Sequence, residues 1–309
     1  MSKREIHFIG FLANVDDSIA KLKLGQPFSI GKKSQQDVIP FLRHIDTHWG
    51  VEESLDFSAV QKQGDILVRG RSFYCITARN VTSFEGTPQG GVLGKRAEVK
   101  RIAGAIRDKI RLLRLFREGN IVLRFSFFYH IKDSEPSVVM LRDEPFADRT
   151  KFRLEDNDIS EAQSFIQNVK IPFAQSFLQL AFESFELSYE VDNAGLAFLS
   201  LMISLETMLN PADRELRYRV SRNAAVLLGR NAEESERIFS EVRGLYDKRS
   251  KLVHTGESRS ISQEDVLKLR GYVREGIKEI NVTGESKDEL LGTLNACGFG
   301  QRPWRGKGK

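Results

Sequence analysis

The stretch YDKRSKLVHTG, residues 246–256, sets Arg249 and His254 on one segment with four residues between them. These two side-chain types together suit phosphodiester chemistry that needs no metal. Histidine exchanges protons near neutral pH, and arginine offers a permanent, forked charge to phosphate oxygens. Cleaving RNA in this way takes a proton from a 2′-hydroxyl, gives one to the leaving 5′-oxygen and steadies a charged phosphorane. Ser250 follows the arginine directly. Tyr246 lies three residues before it on nearly the same side of a helix, where it could stack on a base, orient the pair or simply pack.

The spacing is weak evidence by itself. Arginine with four to six residues between it and a following histidine occurs three times, at Arg43–His48, Arg124–His130 and Arg249–His254. In a chain this rich in arginine about one such match is expected by chance. Context separates the three. Arg124, Ser126, Phe128 and His130 alternate like one face of a strand, a solvated face by this reading, and no other catalytic group stands nearby. His44 and His48 have the i, i+4 spacing of metal-binding helices, but Ile45 occupies the place where a zincin carries its glutamate base. Around Arg249 the apolar stripe runs Ile238, Val242, Leu245 and resumes at Leu252 and Val253. The arginine therefore stands where the pattern calls for an apolar residue, and burying its charge needs an anion or a hydrogen-bond partner. A structural ion pair to Glu206 would also satisfy it. On a regular helix five residues turn by about 140°, so Arg249 and His254 share a pocket only if the helix breaks or a second chain completes the site.

The elements that must hold these residues fall into two kinds. Up to about residue 155, β-branched and aromatic runs such as REIHFIGFL, SFYCITA, NIVLRFSFFYHI and PSVVML read as strands, as does DILVRG. SQQDVIPFLRHI reads as a short helix capped by Ser34 with Asp37 reaching back. A longer helix is expected over about 95–118, with Ile102, Ile106, Ile110 and Leu113 as its inner stripe. Its other face is basic. Lys100, Arg107, Arg111 and Arg114 are the candidates there for binding a polyanion, against the plainer reading of a solvated surface. The loop GTPQGGVLGKRAE before it departs from a P-loop, because Arg96 stands where Ser or Thr would hold magnesium.

From about 156 the periodicity becomes helical. SEAQSFIQNVKIPFAQSFLQLAFESFEL reads as two helices or one kinked at Pro172, and DNAGLAFLSLMISLETMLNP, apolar nearly all round, as the central helix. ELRYRVSRNAAVLLG ends in a glycine suited to a left-handed cap. The next helix starts near Ala232, and the last strong one starts at Ser262 with Asp265 completing a capping pair. The expected organisation is α+β: a mixed, strand-rich domain over 1–155, a helical bundle over 156–285 and a basic, flexible tail over 286–309.

Composition limits the class. The chain has 309 residues, 29% of them charged, a formal net charge of +5 and two cysteines in no metal-ligand spacing. No apolar run is long enough to span a bilayer, no signal-peptide pattern is present, and the cysteine usage fits a reducing cytoplasm. A basic balance permits a nucleic-acid partner without requiring one. No cofactor and no resident metal is expected.

The strings LMISLETMLNP, RYRVSRNAAVLLG and YDKRSKLVHTG together resemble the C-terminal domain of ApeA-like HEPN proteins, over about residues 160–280. That resemblance implies an α-helical bundle that dimerises and cuts RNA without metal, with Arg249 and His254 as its arginine–histidine pair. Ser250, Tyr246 and Glu206 would then be supporting residues. It implies motif pairs from two protomers meeting at the dimer interface, 2′,3′-cyclic phosphate (or 3′-phosphate) and 5′-hydroxyl products, and a role in bacterial defence against phage. Ser250 departs mildly from the residues common after the arginine. Gly256 stands where another HEPN group carries a nucleotidylated tyrosine, which argues against that regulation here. The competing expectation is a non-catalytic, dimeric nucleic-acid-binding or regulatory module.

Overall fold

The computed structural model describes residues 4–34, 36–41, 73–84, 96–132, 135–141, 150–210, 215–256 and 258–301. The chain divides into two compact units, Met1–Val169 and Lys170–Lys309. The fold is α+β, a sheet-bearing unit followed by a helical one.

In the first unit, β1 (Arg4–Ala13), β2 (Phe28–Lys33), β3 (Phe73–Phe84), β4 (Val122–Lys132) and β5 (Glu135–Leu141) form one antiparallel sheet in the order β2-β3-β1-β4-β5. β1 is central, and its alternation decides which residues are buried. Ile9 faces Thr77 on β3 and Phe127 on β4, so Ile9, Phe11, Cys75, Phe125 and Phe127 share one face. Val38 and Phe41 of the helical segment 36–41 join that cluster. The Ser34–Asp37 exchange expected from sequence caps this segment: each residue's backbone N–H donates to the other's side chain, at 3.0 and 3.3 Å. On the opposite face Ile6, Phe8 and Phe128 are fully buried. Each large apolar side chain taken out of water in this way contributes about 1.5–3 kcal/mol.

Helix α1 (Arg96–Phe116) packs on β4, and its expected stripe of Ile102, Ile106, Ile110 and Leu113 is buried. Helix α2 (Asp158–Asn168) lies against α1, with Phe165 and Phe116 at 5.6 Å between ring centres. The unit boundary therefore falls at 169/170 rather than at 155/156, because α2 spends its apolar face on α1.

The second unit holds α3 (Ser176–Glu190), α4 (Ala194–Leu209), α5 (Leu216–Leu228), α6 (Ala232–Thr255), α7 (Gln263–Thr283) and α8 (Lys287–Ala296). Helix α4 touches α3, α5, α6 and α7, the central place its composition called for. One stripe of it still faces outward, with Leu196 56% and Ile203 52% exposed. The side chains of Asn193, Asn231, Ser262 and Ser286 cap their helices as N-caps, the last two in complete capping boxes with Asp265 and Glu289.

Two expectations change here. Part of the flexible tail is helical: α8 buries Leu290, Leu291 and Leu294 against the bundle, and the Arg222 guanidinium donates to the carbonyls of Leu294 and Cys297 at 3.0 and 2.7 Å. Residues 302–309 lie outside the described residues. Gly229 is not a left-handed cap, since its φ is −69°. It is small because a Cβ there would collide with Ser235 and with the Ala225 carbonyl.

Candidate functional site

Helix α6 positions the site. From its Asn231 cap it runs unbroken for 24 residues, burying Ile238, Val242 and Leu245, and the next step of that stripe is Arg249. The side chain of Arg249 is 33% exposed, and its Nε lies 3.7 Å from Oε1 of Glu206 on α4. The partner that the sequence pattern suggested is thus the observed one. Tyr246, also on α6, donates its hydroxyl to the same oxygen at 2.6 Å, and the Arg249 guanidinium lies 5.9 Å from the Tyr246 ring centre. Glu206 is 20% exposed. Burial, the hydrogen bond to Glu206 and the charge of that carboxylate hold the Tyr246 phenol well above its usual range, against the opposing effect of Arg249. Tyr246 is therefore a neutral donor at physiological pH and no candidate proton acceptor.

Next to Arg249 in the chain, Lys248 donates to both carboxylate oxygens of Asp265 at 2.7 Å and ties α6 to the first turn of α7. Burial alone would raise the Asp265 carboxyl; hydrogen bonds from Lys248 and Ser262 outweigh it and hold that pKa below the usual range. The end of α6 is fixed differently. Gly256 takes φ +69° and donates its N–H to the Leu252 carbonyl at 2.9 Å. Leu252 and Ser258 close over Gly195 at the start of α4, where an added Cβ would lie 3.2 Å from Ser258 Cβ. Ser250 and His254 are exposed. Because α6 does not break, His254 stands about 7.5 Å further along the axis and about 140° round from Arg249. Within one chain the arginine meets Glu206 and Tyr246, and it does not converge with the histidine.

The basic face of α1 divides. Lys100 and Arg107 are exposed and Arg111 is half-buried. Arg114 is 2% exposed and donates from Nε to the Ile121 carbonyl at 3.0 Å. It shares the heptad direction of the other three, but α1 is enclosed at that end, so Arg114 serves the fold and is corrected out of the polyanion-binding set. Burial also depresses the Lys109 ammonium pKa.

The Arg124–His130 face is not solvated as expected. Ser126 is 4%, Phe128 0% and His130 2% exposed, because the sheet is covered on both sides. His44 and His48 lie outside the described residues, as does most of the glycine-rich loop before α1. Among the described residues no group of three metal-ligating side chains comes together.

Sequence reasoning missed two buried arginines on α7. Arg270 is 1% exposed, donates to the Ser188 hydroxyl and carbonyl at 3.0 and 2.8 Å, and lies 3.9 Å from the Tyr189 ring centre. Arg274 donates to the Tyr189 hydroxyl at 3.0 Å. The available signal was their position: Arg270 lies one turn after Val266, and Arg274 one turn after that, along the inner stripe. They clamp α3 to α7.

No family model matches the chain, and neither a curated protein nor a solved structure matches it.

Proposed function

We propose that the chain is a metal-independent endoribonuclease of the HEPN type, working as a homodimer in the cytoplasm in bacterial defence against phage or in stress. The observation that carries this reading is the placement on α6. Arg249 is steered by Glu206 and Tyr246 yet remains a third exposed, and His254 stands exposed just before the helix ends at Gly256. In the proposed reaction His254 takes the 2′-hydroxyl proton, Arg249 steadies the phosphorane, and a second imidazole returns a proton to the 5′-oxygen. That second imidazole comes from the other protomer, because one unbroken helix keeps its own pair apart. Ile203, one turn before Glu206, and Val253, one turn after Arg249, are each 52% exposed and offer a second chain an apolar surface beside the site. Lys100 and Arg107 on α1 would hold the RNA backbone.

The separation of Arg249 from His254 and the 3.7 Å approach to Glu206 also favour a second reading. In it the bundle is a dimeric regulatory or nucleic-acid-binding module and Arg249 is a structural partner.

Purified protein incubated with total RNA in EDTA, beside Arg249→Ala and His254→Ala, separates the two. Cleavage by the wild type alone, leaving 2′,3′-cyclic phosphate and 5′-hydroxyl ends, is expected of the enzyme. Full activity in folded His254→Ala rules out the catalytic assignment, and salt-dependent binding without cleavage supports the module.

A further inference from the structure

Away from Arg249, helices α6 and α7 part to leave a groove of about 640 Å³. Its floor is apolar, built from Ile238, Leu267 and Tyr272. Four glutamates line it, Glu234, Glu241, Glu275 and Glu279, against three basic side chains. All three pair within the groove: Arg230 and Arg237 approach Glu234 at 4.0 and 3.6 Å, and Arg237 and Lys268 approach Glu241 at 3.6 and 3.8 Å. Glu241 also accepts the Tyr272 hydroxyl. The three basic side chains are exposed, and ion pairs of that kind exchange at little cost. A chain with a net charge of +5 thus carries an acid-rimmed apolar slot.

The polypeptide leaves α8 at one end of this slot. Phe299 packs on Phe239 with 5.8 Å between ring centres, and the Gly300 N–H donates to the Ser235 hydroxyl at 3.1 Å. Gly300 takes φ +76°, and a Cβ there would lie 2.6 Å from the Ala232 nitrogen, so the backbone is pressed against the first turn of α6. Glu234 stands on that same turn. The sequence that follows, RPWRGKGK (302–309), holds Arg302, Arg305, Lys307 and Lys309, no acidic residue, and Trp304. Eight residues extend to about 26 Å. The glutamates on α6 span about 10 Å along their helix axis, so the segment reaches the whole slot.

We propose that this groove is a docking site for the chain's own basic segment 302–309, with the Trp304 indole on the floor and its arginines and lysines along the glutamate rim. The indole supplies most of the affinity, since a buried tryptophan removes about 150–250 Å² from water and rim charges contribute little each. Tethering at Gly300 makes the event intramolecular, which raises the local concentration of the segment to about the millimolar range. The inference does not depend on the ribonuclease reading.

The test uses the full chain with Trp49→Phe, which leaves Trp304 as its one tryptophan. Gly271 lines the groove, and a Cβ there meets nothing within 4 Å, so Gly271→Leu starts an apolar side chain into the slot from a position with room for it and obstructs the slot. Trp304 emission is expected to be blue-shifted and shielded from acrylamide, and Gly271→Leu or the pair Glu275→Lys with Glu279→Lys should raise quenching several-fold. In the wild-type chain, which avoids the Trp49 substitution, carbodiimide should join Lys307 or Lys309 to a groove glutamate within the monomer, and Gly271→Leu should abolish that product. Equal quenching with the slot open and obstructed overturns the proposal. Cross-links found only between chains overturn the choice of the chain's own segment as occupant.

Discussion

Tyr246→Phe deletes one hydroxyl from the site and little else, so its cost can be worked from the geometry. The hydroxyl donates at 2.6 Å to a carboxylate that is 20% exposed, and water replaces such a partner poorly. A hydrogen bond to a charged acceptor contributes about 1.5–3 kcal/mol. Arg249 reaches the same oxygen at 3.7 Å from a side chain 33% exposed, a geometry for which about 0–1 kcal/mol is expected. Tyr246→Phe should therefore destabilise the bundle by about 2 kcal/mol, and Arg249→Gln by less than about 1 kcal/mol. Urea unfolding followed by far-UV circular dichroism measures both, and a cycle with Glu206→Gln should give a Tyr246–Glu206 coupling of about 1–2 kcal/mol. Phenol titration adds an independent readout. Tyr246 ionises well above the ordinary range in the parent, and it should ionise at lower pH in Glu206→Gln, which loses the charge and the strong acceptor. A coupling below about 0.5 kcal/mol would refute the hydrogen-bond argument. If Arg249→Gln instead cost more than Tyr246→Phe, Arg249 would belong to the structure and the second functional reading would gain.

Three further outcomes follow from individual sites. Arg114→Ala should lower stability by about 2–4 kcal/mol because it empties a buried, hydrogen-bonded position, whereas Arg107→Ala should leave stability unchanged and reduce the salt dependence of RNA binding; unfolding and filter-binding series separate the two. Burial pushes the Cys75 thiol up to about 12, so a thiol reagent should modify Cys297 in the native protein and Cys75 only after unfolding; labelling of Cys75 at native rates would contradict its place under Val38 and Phe41. Burial lowers the His7 pKa, with Arg79 adding to the effect and Glu5 opposing it, and its Nδ1 accepts the Asn80 N–H at 3.2 Å. The folded value lies below the unfolded one, so this stability is full above about pH 6.5 and is lost as pH falls through the folded value. His7→Gln should flatten that part of the stability–pH curve, and an unchanged curve would discount the site.

The division into a sheet unit and a helical unit was legible because the period of the apolar residues changes from two to 3.6 along the chain. What escaped did so for local reasons. β2 is a six-residue edge strand, FSIGKK, with half its length polar, and it borrows its register from β3. α8 is ten residues long, contains Gly292 and sits in a basic, glycine-rich composition; its Ser286–Glu289 capping box was the signal to follow. Gly229 answers a need for space beside Ser235, which a single-helix pattern does not contain, and not a need for a left-handed backbone. The burial of Arg270 depends on Ser188, 82 residues earlier, and no window on one helix contains both.

Arg249 shows where a sequence conflict is informative and where it stops. An arginine in an apolar stripe called for a partner, and the central helix supplies Glu206 from 43 positions away, on the outward-turning edge of an otherwise buried helix. The same stripe carries no information about His254, which lies off it, past the last buried turn. The pair is therefore held by two different mechanisms, the arginine by a side-chain clamp between helices and the histidine by a left-handed glycine that stops the helix. In the proposed reading two such helix ends face each other over one phosphate, and the exposed Ile203 and Val253 beside Arg249 would be the surface that joins them. Ile203→Lys should then remove cleavage and dimerisation together while each monomer stays folded, since the side chain already meets water; sedimentation and the RNA assay on the same sample decide it. A variant that cuts RNA as a monomer would break the link between the helix geometry and the second chain.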